Sequence, residues 1–182
     1  MKRFAALLLG LLLWAHQAQA ADTLAFWTAR ANEPPASSAA TPSTRNAIPI
    51  LTFVEGSDTC AEFAGMMPLF YSGDVNVKIG WTSLTAATNA VSWNVAFKSV
   101  TDDADDLDTK SYAAANNASC TTPDNAGEVD YCTVAFTAGA DMDSVSAGEY
   151  FRLQVCRDGD GSSGTDSSTD TAQFFFAVME TQ

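Results

Sequence analysis

The sequence predicts an all-β fold: a single-domain, jelly-roll-like β-sandwich with a short helix in one loop. Two observations carry this. The first is alternation of apolar and polar residues. Val75, Val77, Ile79 and Trp81 alternate with Asp74, Asn76, Lys78 and Gly80. Val91, Trp93, Val95 and Phe97 alternate with Ser92, Asn94, Ala96 and Lys98, and Phe151, Leu153 and Val155 with Arg152, Gln154 and Cys156. Period two, with β-branched and aromatic residues on one side, makes a strand with a dry face and a wet face. A sheet with one apolar face needs a second layer to cover it. The second observation is that roughly eight such strands, all short, are separated by loops. No repeat of about 20–50 residues is present, which excludes a solenoid or propeller.

The elements follow in order. Lys2 and Arg3 precede the apolar run Phe4–Trp14, and Ala18-Gln19-Ala20 gives a small-x-small cleavage pattern. Residues 1–20 therefore read as a signal peptide cut before Ala21. The run is too short for a membrane anchor, and no Cys follows the cut as a lipoprotein signal would require. Residues 21–182 form the sandwich domain, with 21–48 as an N-terminal strand and extended arm. In the strand Thr23–Thr28, Leu24 and Phe26 share one face and Trp27 takes the other. Asn32–Asn46, with its prolines and small polar residues, reads as an ordered arm lying along the domain, because Ile48, Ile50, Leu51 and Phe53 follow at once. The strand Cys60–Met67 places Ala61, Phe63 and Met67 on one side, and Pro68 ends it.

The linker Thr82–Ala90 is too long for a tight hairpin. Asp102–Asp108 is too acidic to be anything but a loop. Asp108 can cap a short helix over Thr109–Ala115. Further strands are read at Asn117–Thr122, Val129–Thr137 and Tyr150–Arg157. The turn Pro123–Gly127 joins the first two, and the loop Ala138–Gly148 carries Met142 and Val145 as inward anchors. Asp158–Asp170 is an irregular loop. The last strand, Ala172–Met179, has Phe174, Phe176 and Val178 inside and Phe175 and Met179 outside.

Charge and chemistry narrow the function classes. Cleavage would remove two of nine basic residues and none of 22 acidic ones, leaving seven against 22, a net charge of −15 over 162 of the 182 residues. That field repels phosphate backbones and anionic lipid, so no nucleic acid is expected as a partner. No segment after the signal is long and apolar enough to span a membrane. The sole histidine, His16, lies in the signal, which removes Ser-His-Asp and Cys-His catalysis and imidazole metal ligands.

Four cysteines in an exported chain read as two disulfides. Cys156 and Cys60 share the wet faces of their strands, so Cys60–Cys156 with Cys120–Cys132 is the favoured pairing, the second closing a hairpin around Pro123–Gly127. Asp158, Asp160 and Asp166 are the residues that would hold Ca²⁺, although the EF-hand pattern fails: Thr169 stands where its bidentate Glu belongs. No acid stands in an apolar context that would raise its pKa, so a glycosidase pair is not indicated. Trp81 and Trp93 fall on dry faces and are core. Trp27 and Tyr71 are the aromatics expected at the surface.

A set of motifs in fixed order resembles a known group. NEPPAS at Asn32–Ser37, STRN at Ser43–Asn46, VSWNVAF at Val91–Phe97, DDLD at Asp105–Asp108 and AFTAGADMDSVSAGEYFRLQVCRD at Ala135–Asp158 are followed by a Phe-rich last strand. Together they resemble an uncharacterised family of small jelly-roll-like β-sandwich proteins from bacterial genomes, metagenomes and phage structural-gene regions. The resemblance implies a virion-type or surface structural role and carries no catalytic residues. The signal peptide and four cysteines depart from that phage-like pattern and imply the same fold used outside the cell.

Two functions are therefore expected. One is a non-enzymatic, periplasmic or extracellular structural or interaction protein that forms a homo-oligomer or surface assembly through Phe175 and Met179. The alternative is an extracellular glycan-binding module, assisted by Ca²⁺ if by any cofactor, that uses Trp27 and Tyr71.

Overall fold

The computed structural model describes residues 21–85 and 89–182; the expected signal peptide lies outside the described residues. Ten strands form: β1 Thr23–Thr28, β2 Thr41–Arg45, β3 Ile48–Phe53, β4 Thr59–Met66, β5 Val75–Ser83, β6 Ala90–Val100, β7 Asn116–Thr121, β8 Asp130–Phe136, β9 Tyr150–Arg157 and β10 Ala172–Thr181. One sheet has the order β2-β3-β10-β5-β8, with β1 also paired to β10, and the other the order β4-β9-β6-β7. The pairs β3–β10, β4–β9, β5–β8 and β6–β7 are all antiparallel and nest inside one another. A long hairpin rolled into two sheets in this way is a jelly roll. β1 and β2 are additions to it.

The alternating runs form the core between the layers. β5 and β6 lie in opposite sheets, and the linker between them crosses from one to the other. Trp81 and Trp93 consequently meet across the core edge to face, with ring centroids 5.9 Å apart. Phe97 and Phe136 do the same at 4.9 Å. Met142 and Val145 are buried, as their loop position predicts.

Two bulges overturn the expected faces of the terminal strands. In β10, Phe174 pairs with Trp81 and Phe176 with the adjacent Gly80, so Phe175 is the extra residue. A bulge sets two residues against one and shifts the alternation. Phe174, Ala177 and Met179 are therefore buried, while Phe176 and Val178 face outward. The inner placement of Phe176 and Val178 and the outer placement of Met179 are corrected. In β1 the register shifts between Thr23 and Ala25. Leu24 and Trp27 then point inward and Phe26 outward. Trp27 is not a surface aromatic: it packs on Phe63 and Phe151, and its Nε1 donates to the Ala64 carbonyl at 2.7 Å.

The helix expected over Thr109–Ala115 does not form. The Asp106 carbonyl accepts from the N–H groups of Thr109 and Lys110, making one turn, and the Ala113 N–H then donates to Phe97 O alongside β6. A segment this short has little helical stability of its own and yields to the strand beside it. The helical turns among the described residues are 3-10 turns at Ala29–Ala31 and Ala140–Met142.

Both expected disulfides are present. Cys60 and Cys156 are register partners on β4 and β9. Cys120 and Cys132 lie on β7 and β8, which belong to different sheets, so this bond ties two sheet edges together and does not close a hairpin within one sheet. The arm is ordered and follows the free edge of β4: Glu33 N–H donates to Glu62 O, Cys60 N–H to Ser38 O and Ala40 N–H to Cys60 O. Its last part forms β2.

Candidate functional site

The outer face of the larger sheet carries an aromatic row that the two bulges create. Tyr131, Gly80 and Phe176 are register partners on β8, β5 and β10, and Phe26 stands beside them on β1. The Phe176 ring centroid is 5.5 Å from that of Phe26 and 5.9 Å from that of Tyr131. Gly80 makes the row possible, because a Cβ there would lie 2.5 Å from Phe176 Cε1. The ring lies where a side chain on β5 would stand. Phe26 is 57% exposed, Tyr131 56% and Ile48 53%, which is unusual for large apolar side chains grouped together.

Two depressions flank the Phe175–Phe176 ridge. One, of about 440 Å³, lies between the β2–β3 turn and the β7–β8 loop, with Arg45, Asn46, Ile48 and Val129 in its walls. The other, of about 330 Å³, is lined by Phe26, Thr28, Arg30, Ile48 and Pro49. They share Ile48, Phe175 and Phe176, and together form a two-lobed groove. Arg45 is held in place: its Nη1 donates to Ser83 O at 3.0 Å and to Gln173 Oε1 at 2.5 Å. Gly127, at φ 86°, makes room for the rest of the guanidinium, since a Cβ there would meet Arg45 Nη2 at 2.8 Å. Among the described residues no carboxylate or thiol lines either lobe. The groove can stack on, hydrogen-bond to and attract a ligand, but it holds no general acid or base.

The expected site residues separate. Phe175 lines both lobes. Met179 and Trp27 are core. Tyr71 is half-buried, with its hydroxyl 3.4 Å from Met142 Sδ, and burial together with Asp74 raises its pKa. The residues that sequence reasoning missed are Phe26, Ile48, Tyr131, Phe176, Arg30 and Arg45. Three consecutive phenylalanines in one strand were a signal that one must face outward.

The proposed metal set also changes. Asp166 turns away from Asp158 and Asp160 and grips Arg157, with Arg157 Nε to Oδ2 at 2.8 Å and Nη2 to Oδ1 at 2.9 Å. The carboxylates that do converge are those of Asp58, Asp158 and Asp160. The reading that no acid has its pKa raised by burial is corrected at Asp58, where partial burial is the first cause of an upward shift. Asp158 is fully buried and serves as a loop clamp. Its two oxygens accept from the backbone N–H groups of Ser162, Ser163 and Gly164 and from the Ser162 hydroxyl. Its lone pairs are thus already used within the loop. The second acidic loop is tied down similarly: Lys110 bridges Asp105 and Asp143, each at 3.0 Å.

No protein-family model matches the chain, and no curated protein matches it. Among solved structures, it is similar to the CBM22-1–GH10 modules of Clostridium thermocellum xylanase 10B complexed with xylohexaose: TM-score 0.47, 9% identity, 88% of this chain. The chain spans only 28% of that structure. It is similar to the C-terminal CBM6 of the laminarinase LamC from Zobellia galactanivorans at TM-score 0.46 and 13% identity, over 88% of this chain and all of the other. The infectious bursal disease virus Gx strain follows at TM-score 0.41 and 5% identity, over 89% of this chain and 32% of the other. The jelly-roll assignment rests on the strand order alone.

Proposed function

We propose that the chain is an exported, non-enzymatic glycan-binding module whose working surface is the two-lobed groove. The observation that carries this reading is the exposed Phe26–Phe176–Tyr131 row, mounted on three strands of one sheet. A sugar ring offers an apolar C–H face and a rim of hydroxyls. Aromatic rings held on a rigid scaffold suit the face, and nearby polar groups suit the rim. Each lobe has the volume of a small-ligand pocket and not the broad flatness of a protein interface. The two disulfides support an oxidising compartment, extracellular or periplasmic. Calorimetry with a panel of oligosaccharides tests this. The wild type binds at least one, and Phe176→Ala weakens binding by roughly tenfold or more while the protein stays folded. A wild type that binds none of them overturns the reading.

A structural subunit of a surface or virion-like assembly is the second reading. It is favoured by a second apolar cluster on the β4–β5 loop, where Leu69 is 86% and Phe70 65% exposed. Light scattering at high protein concentration separates the two: a defined oligomer supports the subunit, and a monomer supports the module.

A further inference from the structure

We infer that the groove selects an anionic glycan, one carrying carboxylate or sulfate groups; this rests on the glycan-binding reading above. The reason is where the cations stand. Seven basic residues follow residue 20, against 22 acidic ones. Four of the seven are ion-paired: Lys78 with Glu180, Lys110 with Asp105 and Asp143, Arg152 with Glu33 and Glu62, and Arg157 with Asp166. Lys98 lies over the Tyr112 ring, 4.6 Å from its centroid. Arg30 and Arg45 remain, and among the described residues neither has a carboxylate partner. Both line the groove, one in each lobe.

In a chain with a threefold excess of acids, two guanidiniums free of acids in one apolar groove mark a place where negative charge is to be received. The nearest acid in sequence to the larger lobe, Glu128, is turned onto its own loop, where it accepts from Asn125 N and Nδ2. Arg45 is already oriented by Ser83 and Gln173, so it loses little freedom when a ligand arrives. A guanidinium matches a carboxylate or sulfate with two parallel donors. Phe175 and Phe176, which line both lobes, then carry the sugar ring between the two cations.

Calorimetry with three probes tests the inference: a galacturonate tetrasaccharide, the same chain fully methyl-esterified, and a sulfated galactan tetrasaccharide. The ester removes the charge and keeps the sugar. At least one anionic probe is expected to bind about tenfold or more tighter than the ester, and less tightly as salt is raised. Arg30→Gln, at an exposed side chain with no partner among the described residues, should remove most of that preference without changing the melting temperature. Arg45→Gln should do the same, and its fold is checked by circular dichroism. Equal binding of ester and acids, or a panel in which only neutral oligosaccharides bind, overturns the anionic preference and leaves the glycan reading standing. No binding to any oligosaccharide overturns both. Retention of preference by both variants places the anion elsewhere and rejects the groove's arginines.

Discussion

Gly80 shapes the outer face more than any aromatic around it. It sits mid-strand, where glycine is ordinarily worse than alanine by about 0.5–1 kcal/mol. Here an added methyl would meet the Phe176 ring at 2.5 Å. Gly80→Ala should therefore displace Phe176, lower glycan affinity and bring none of the usual stability gain, as paired calorimetry and thermal melts would report. A more stable variant with unchanged affinity would mean that the ring is free to move aside. Asp58 poses an electrostatic question. Partial burial, then the carboxylates of Asp160 and Asp158, raise its pKa. A folded-state pKa above the unfolded value means that the folded chain holds the proton longer. Stability is thus lost as pH rises through the carboxylate range. Asp58→Asn in chelator-treated protein should melt higher than wild type at neutral pH, with the gain fading as the pH falls through that range. A lower melt, together with a wild type stabilised by millimolar Ca²⁺, would instead make the three aspartates a cation site. The density of aspartate was legible in the sequence. Which three converge was not, because Asp58 comes from the β3–β4 loop and the other two from the β9–β10 loop.

At the scale of elements, the β9–β10 loop is held by one buried cation. Arg157 is fully buried, pairs with the nearly buried Asp166, and donates to the carbonyls of Phe53, Ser168 and Asp170. Arg157→Met leaves that carboxylate without its cation, with only the Ser92 and Ser168 N–H groups donating to it, and takes one donor from each of those carbonyls. The expected cost is about 3–5 kcal/mol in urea unfolding, because an unpaired buried charge is far costlier than an absent pair. A loss below about 1 kcal/mol would mean that water replaces the guanidinium. The disulfides differ in span, with sequence separations of 96 and 12. Chain entropy puts the first near 5 and the second near 3 kcal/mol, so removing Cys60–Cys156 should lower stability more than removing Cys120–Cys132. The reverse order would give the tie between the sheet edges a native-state role beyond loop closure.

Across the whole molecule, the edges of β4, β7, β8 and β2 are guarded, while β1, paired only to β10, keeps an open edge. The arm covers β4, a disulfide joins the β7 and β8 edges, and exposed β2 carries Pro42, which cannot donate to an incoming strand. β10 is interior, with β5 on one side and β3 and β1 on the other. Self-association by adding a strand to β10 is therefore closed off, and an assembly would have to use a face, the β1 edge or the Leu69–Phe70 tip. Sedimentation of the folded protein should give a monomer at moderate concentration. If an oligomer appears, Leu69→Ser should dissolve it before any change on β10 does.

The sequence by itself determined that the chain is a two-layer β-sandwich, most of its strands though not β2 and β3, which tryptophans form the core of β5 and β6, and which cysteines pair. All of these follow from period-two alternation, because the pleat of a strand is written directly into neighbouring residues. Only the tertiary structure decided the faces of β1 and β10. A bulge is two residues set against one on another strand, so its position depends on a partner distant in the chain and leaves no local mark. Those two bulges turn Phe26 and Phe176 outward, over Gly80 and beside Tyr131, and bury Trp27 and Met179. The candidate site stands where the alternation breaks, which is why periodicity placed Phe176 in the core.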